Sequence, residues 1–197
     1  MELQHVNVKL LLAKPEVELD PLIPIFHSWI QDQLWGDLLL DVADYRHVYS
    51  SPGIILIGHE GNYSVDNTDN RLGVRYNRKA TIEGSNLDRL RQAAHAALRA
   101  CARLESDSRL EGKLHFNGQQ IEIVINDRLL APNTAATREA VKAELLPFLQ
   151  QLFAGSDYSL GFNEEPRSLL QACVKSAQTF SLAALDKNLT SALSALA

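Results

Sequence analysis

Residues 53–79, GIILIGHEGNYSVDNTDNRLGVRYNRK, carry the strongest indication of the fold. The apolar run from Ile54 to Ile57 is typical of a strand, and the Asp- and Asn-rich turn at residues 66–70 returns the chain through residues 71–79. The stretch therefore predicts a β-hairpin of two paired strands. It also carries one His, two Tyr and four cations, which is more polar chemistry than strand pairing requires.

Amphipathic helices are predicted on both sides of this hairpin, because apolar residues recur there at three- and four-residue steps. The helical segments run from Pro21 to Gly36, from Ser85 to Leu104 and from Thr134 to Gly155. Ser85 and Asp88 match a capping box. Pro147, inside the third segment, predicts a kink or a later helix start.

The remaining strands complete the predicted fold class. Residues 6–12 become wholly apolar, as a strand near the middle of a sheet does. Asn117-Gly118 predicts a second hairpin, and short strands are expected at residues 38–42 and 158–162. Hairpins and strand–helix–strand units both occur, so we expect an α/β (α+β) two-layer sandwich: a mixed or mainly antiparallel sheet with amphipathic helices packed on it.

The domain organisation follows from the same pattern. Residues 1–178 are expected to form a single domain, with a Leu-striped C-terminal helix over residues 179–197. Two loosely related halves, residues 1–112 and 113–178, are an alternative, because the segment LIPIF in the first helix resembles LLPFL in the third.

The C-terminal segment carries a heptad-like stripe. Its leucines are Leu182, Leu185, Leu189, Leu193 and Leu196. The stripe fits a terminal helix docked on its own domain, and it also fits a helix that packs against a second copy or a partner. A helix of ~15 residues is marginal alone, so it must pack on something.

Composition limits the expected partners and location. The chain has 24 acidic and 19 basic residues, a net charge of −5 and a pI near 5.7, so neither nucleic acid nor a membrane surface is an expected partner. No apolar run approaches the ~20 residues of a membrane span, and nothing at the start resembles a signal peptide. Cys101 and Cys173 lie in apolar surroundings, which fits a reducing compartment. We therefore expect a soluble, cytoplasmic protein.

His59, Glu60 and Tyr63 are candidate catalytic residues on the hairpin. A neutral imidazole near the end of an interior strand can act as an acid or a base. Glu60 faces the other side of a regular strand, although a bulge between Gly58 and Gly61 would bring it beside His59. The alternative role for His59 is that of a hydrogen-bonded structural residue.

The return strand supplies Arg75, Tyr76 and Arg78 as candidate ligand-binding residues. With two neighbouring cations, these arginines form a strip able to hold a carboxylate or a phosphate. The alternative is an apolar core row backed by a solvated charged row, in which Arg75 pairs with Glu60 or Asp66.

A further candidate lies at Asp127, a possible catalytic residue, and Arg128, a possible ligand-binding residue. Both follow an interior-like strand, and ligands tend to bind at such strand ends. The alternative is a self-paired turn. Asp44 leaves another strand in the same way, and a polar cleft results if both strand ends adjoin His59 and Glu60.

Two function hypotheses follow. The first is a non-enzymatic binding or assembly protein, favoured as a homodimer or with another protein partner, that uses the hairpin and the Leu-striped tail as contact surfaces. The second is a small-molecule enzyme, or a binder of a small anionic metabolite, with its site at the His59/Glu60 hairpin. The six His residues are dispersed and no metal or cofactor motif occurs, so neither metal nor cofactor is expected. The sequence leaves open whether the chain is an enzyme.

Overall fold

The computed structural model describes residues 1–14, 17–48 and 52–190. Within these ranges, eight strands form one antiparallel sheet and four α-helices pack on it. The predicted α/β two-layer architecture is therefore confirmed.

The sheet has the strand order β2-β3-β4-β5-β1-β6-β8-β7. The strands are β1 (Val6–Leu12), β2 (Leu39–Asp44), β3 (Ile54–Gly58), β4 (Gly61–Asp66), β5 (Gly73–Arg78), β6 (Phe116–Ile125), β7 (Tyr158–Phe162) and β8 (Leu170–Ser176). The helices are α1 (Leu22–Gln31), α2 (Asn86–Glu105), α3 (Ala135–Leu152) and α4 (Leu182–Thr190).

β1 lies in the middle of the sheet, as its apolar sequence predicts. Every residue of Val6–Leu12 is buried. The strand pairs with β5 on one side and with β6 on the other, so both of its edges and both of its faces are covered.

Two parts of the chain share one topology around β1 and β6. In each part a central strand leads through a helix, α1 or α3, to an outer strand, and the chain then returns inward to pair with the central strand. The first part holds two additional strands. Pro24 lies near the start of α1 but Pro147 lies near the end of α3, so the short sequence match does not align equivalent helical positions.

The α-helices form one connected layer. α2 packs on β1 and β5 and also contacts α3 and α4, while α1 packs on β2 and β3. The guanidinium of Arg99 in α2 lies 5.1 Å from the ring centre of Trp35, which follows α1. No helix in the described ranges has the length and hydropathy needed to cross a bilayer.

Local capping signals position two of these helices. Ser85 and Asp88 form the predicted capping box at the start of α2, and the Thr134 side chain accepts a hydrogen bond from the Thr137 amide at the start of α3. α3 begins at Ala135 and continues through Pro147. The prediction of a later start was therefore wrong.

The hairpin predicted over residues 53–79 contains three strands rather than two. β3 ends at Gly58, and β4 begins at Gly61, so His59 and Glu60 form the turn between them. A side-chain carbon on Gly58 would lie 2.5 Å from the carbonyl oxygen of Gly61. The turn is this tight only because glycine has no side chain.

The prediction of a hairpin at Asn117-Gly118 was wrong. Both residues lie within the single strand β6, where the register with β1 shifts between Leu10 and Leu12. A side-chain carbon on Gly118 would lie 1.7 Å from the carbonyl oxygen of Phe180. Glycine is thus required here by the close approach of the chain that follows β8, not by a reversing turn.

The described part of the Leu-striped tail packs on its own domain. Leu182, Leu185 and Leu189 are buried, and α4 contacts α2, α3 and β6. Leu193 and Leu196 of the predicted stripe lie outside the described residues.

Candidate functional site: a polar network on the open face of the sheet

One face of the sheet lies under the helices, and the other carries no helix in the described part of the chain. We call the second face the open face. Its central residues, given by the strand register, are Asn7, Lys9, Asn62, Ser64, Arg75, Asn77, Glu122 and Cys173. A face without helices is usually solvated, but several of these polar side chains are buried.

An ion-pair cluster occupies the centre of the open face. Lys9 Nζ lies 2.5 Å from Asp66 Oδ1, and Arg75 Nη1 lies 3.1 Å from Asp66 Oδ2. The Lys9 and Asp66 side chains are only 1% and 0% exposed, respectively. Asp66 also accepts hydrogen bonds from the Thr68 amide and hydroxyl, so its carboxylate is surrounded by donors.

Electrostatics in this cluster favour the ionised carboxylate. Burial acts to raise the pKa of Asp66, but the charges of Arg75 and Lys9 outweigh it, so the pKa lies below its ordinary value. Burial lowers the pKa of the Lys9 ammonium, and the attraction of Asp66 opposes this shift. Two opposing effects therefore act on the pKa of Lys9: desolvation lowers it, and the nearby carboxylate of Asp66 raises it.

A second ion pair adjoins the first through Glu122. Glu122 is the register partner of Lys9, and its Oε1 lies 2.9 Å from Arg71 Nη1. The Arg71 Nη2 group donates a hydrogen bond of 3.0 Å to Gln120. The five ionised residues Lys9, Asp66, Arg71, Arg75 and Glu122 form what we call the central network; it has three cations and two carboxylates.

Some polar atoms of the open face are buried without a hydrogen-bond partner among the described residues. They include Asn7 Oδ1, Asn62 Oδ1 and Arg75 Nε. Asn62, Asn77 and Asn7 are aligned across three neighbouring strands by the register. Because an unpaired buried polar atom costs about 1–3 kcal/mol, these atoms mark a place where a bound group could add hydrogen bonds.

Three residues predicted for the site, Tyr63, Tyr76 and Arg78, are buried under the helices, and Glu60 pairs with Arg78 from the β3–β4 turn. The Tyr63 hydroxyl donates to Asp37 at 3.1 Å, and its ring centre lies 5.0 Å from that of Tyr76. Arg78 pairs with Glu60 at 2.9 Å. Burial raises the pKa of Tyr63 far above its ordinary value. Tyr63, Tyr76 and Arg78 are all buried, so these side chains are part of the packed interior of the domain.

The remaining predicted residues do not join this group. His59 is exposed in the β3–β4 turn. Arg75 lies on the open face, away from Tyr76 and Arg78, so the expected cationic strip is divided between the two faces. As the structural alternative predicted, Arg75 pairs with Asp66, but the carboxylate is buried rather than solvated.

Asp127 and Arg128 lie at the end of the sheet that also carries the His59 turn. β1 and β5 stand between β6 and β4, which separates them by about 14 Å at the usual strand spacing. Asp127 accepts hydrogen bonds from the amides of Leu129 and Leu130, and Arg128 is exposed.

The expected polar cleft does not form, because Asp44 lies at the opposite end of the sheet. Asp44 pairs in register with Ile54 at the start of β3, whereas His59 follows the end of that strand. Hydrogen bonds from Arg46 lower the pKa of the Asp44 carboxyl to about 2. Asp44 therefore forms a surface ion pair with Arg46.

Comparison with protein-family models and with curated proteins finds no match for this chain. The described residues contain no group of three or more His, Cys, Asp or Glu side chains placed to hold a metal ion.

The accessible cations of the central network are its two arginines. Arg75 and Arg71 are partly exposed above buried carboxylates, which fix the positions of the guanidinium groups. A guanidinium held in this way binds a carboxylate or phosphate without losing further side-chain freedom.

Proposed function

We propose that this chain is a non-enzymatic binding protein that holds an anionic partner on the open face of its sheet. The proposal is supported chiefly by one observation, the buried central network with its unpaired neighbours. Buried charges are costly unless they are paired and hydrogen-bonded, and this network has one cation more than it has carboxylates. An anion at Arg75, whose side chain is 20% exposed, would balance that excess.

Native mass spectrometry of the full chain, purified from its own host, tests this function. We expect a retained small anion in the wild-type spectrum and its loss in Arg75→Gln. The matched control is His59→Ala, which changes an exposed turn residue outside the network and should retain the ligand. A ligand-free wild-type spectrum, or equal retention in Arg75→Gln, would overturn the proposal.

A second candidate function is self-association as a homodimer through the edge strand β2. Four of the exposed large apolar side chains lie within or beside this strand: Leu38 (59%), Leu40 (52%), Tyr45 (43%) and Val48 (47%). Clustered exposed apolar groups are typical of protein contacts. The Val42 amide is already taken by the Asp41 side chain, so contact would run through side chains rather than through added strand pairing.

The solution mass tests this second candidate. We expect wild-type protein to sediment as a dimer and the double variant Leu38→Ser/Leu40→Ser as a monomer. Leu129→Ser, which changes an even more exposed leucine outside β2, is the control and should remain a dimer. A wild-type monomer across the concentration range would remove this candidate.

A further inference from the structure

A groove of about 410 Å³ lies on the open face beside the central network, over strands β6, β8 and β7. Gly161 of β7 stands opposite Cys173 of β8, which stands opposite Glu122 of β6. A side-chain carbon on Gly161 would meet no atom within 4 Å. The groove therefore exists because two small residues follow each other across the sheet.

Two cations flank this groove. Arg71 and Lys175 both line it, and Lys175 is the register partner of Gln120, whose side chain accepts a hydrogen bond from Arg71. Lys175 is exposed and forms no salt bridge with any described residue. With Glu122 committed to Arg71, the groove has an excess of one positive charge.

Neutral donors complete the polar lining. Because Gln120 Oε1 accepts from Arg71 Nη2, the amide group Nε2 of Gln120 remains the donor end of that side chain. Ser159, the register partner of Lys175, adds a hydroxyl to the same rim, where it donates a long hydrogen bond of 3.4 Å to the Lys175 carbonyl oxygen. Two cations with amide and hydroxyl donors match the acceptor oxygens of a carboxylate or a phosphate.

The Cys173 thiol in the groove is suited to contact rather than to reaction. Burial raises its pKa, the carboxylate of Glu122 adds to the shift, and the nearby Arg71 only partly opposes it. A thiol whose pKa is raised has little thiolate character. The polar lining of the groove therefore consists of two cations, neutral hydrogen-bonding groups and an unreactive thiol.

We propose that this groove binds the oxyanion end of a small molecule, with Lys175 and Arg71 as charge partners and with Gln120 and Ser159 as hydrogen-bond donors. The proposal rests on the proposed anion-binding function, and it locates a subsite that the Arg75 experiment does not probe. Carboxylates and phosphates share the chemistry that this site recognises.

An NMR titration of the ¹⁵N-labelled full chain tests the groove with two probes, inorganic phosphate and succinate, at constant ionic strength. We expect saturable shifts of the Gln120 side-chain amide and of the Cys173 and Lys175 backbone amides. Saturation by only one probe identifies the preferred oxyanion, and saturation by both assigns a general oxyanion site. Shifts that stay linear with both probes would overturn the proposal.

Variants separate the groove from general charge effects. Lys175→Gln should weaken binding about tenfold, a loss of about 1.4 kcal/mol, whereas Lys113→Gln removes an exposed charge away from the groove and should not. Gly161→Val should abolish binding by filling the groove, and its side chain has free space in the fold. Unchanged affinity in both groove variants would refute the site. If a native ligand still depends on Arg75 in that case, the proposed function stands and the subsite alone fails.

Discussion

Lys9 and Asp66 form a buried ion pair at the centre of the sheet, although 57 positions separate them in the sequence. The strand order brings them together, because β5 lies between their strands and places Arg75 beside both. Removing one member of a buried ion pair is destabilising when it leaves the remaining charge without a counter-ion.

We expect Asp66→Asn to lower the free energy of unfolding by about 3–5 kcal/mol, because it leaves the buried Lys9 ammonium without its carboxylate and removes the ion-pair partner of Arg75. Urea unfolding at neutral pH measures the loss. Lys9→Met should have a smaller effect, since Asp66 keeps Arg75 at 3.1 Å.

The double variant Lys9→Met/Asp66→Asn provides the control for this pair. If the residues act as a unit, the double variant loses less stability than the two single variants together, by about 0.5–3 kcal/mol. Strict additivity would show that the pair carries no coupling energy.

We expect the stability difference between wild type and Asp66→Asn to shrink in acid. The folded-state pKa of Asp66 lies below its ordinary value of 3.8, so its contribution is complete above about pH 4 and is lost as pH falls through the folded pKa. Unfolding curves of both proteins from pH 6 downward measure this difference. A difference that stays constant down to pH 2 would contradict the direction of the shift.

We expect Gly118→Ala to destabilise the protein by about 1–3 kcal/mol, because its side-chain carbon would overlap the Phe180 carbonyl and push away the segment leading to α4. Thermal unfolding and amide exchange in α4 report the effect. Gly161→Ala is the matched control in a strand with open space, and it should unfold close to wild type. Equal melting of Gly118→Ala and wild type would refute the close approach at Phe180.

We expect Leu185→Ala to cost about 2–5 kcal/mol, because Leu185 is buried between α4 and its own domain. Leu146→Ala, at a surface position of α3 with 44% exposure, should change stability by less than about 1 kcal/mol. Chemical denaturation measures the free energy of unfolding of both variants. A small effect at Leu185 would mean that α4 contributes little to the folded domain.

Periodicity was enough to predict the layered fold, because the decisive signals were local. The capping box at Ser85 and the apolar stripe of α2 depend only on neighbours along the chain. The strand β8 was missed, although Leu170, Ala172 and Val174 alternate with less buried residues in the manner of a strand. That alternation is the sequence pattern from which β8 could have been predicted.

The candidate site could not be predicted, because it depends on strand order. Lys9 lies in an apolar run that predicts a core strand, and Asp66 lies in an Asp- and Asn-rich segment that predicts a turn. Only the register places Glu122 beside Lys9. Arg75 and Arg71 were the members of the central network that the sequence placed in the cationic strip, and the pairing of Arg75 with Asp66 was among the alternatives.

The central position of β1 also affects how the chain folds as it is synthesised. β1 is synthesised before β6, yet Val6 pairs with Ile125, so one edge of the strand waits until β6 has emerged. Pairing across such a sequence separation slows folding. Because β1 joins β2–β5 to β6–β8 in the described sheet, trimming the first twelve residues would leave two separate ribbons, each with a newly exposed edge prone to aggregation.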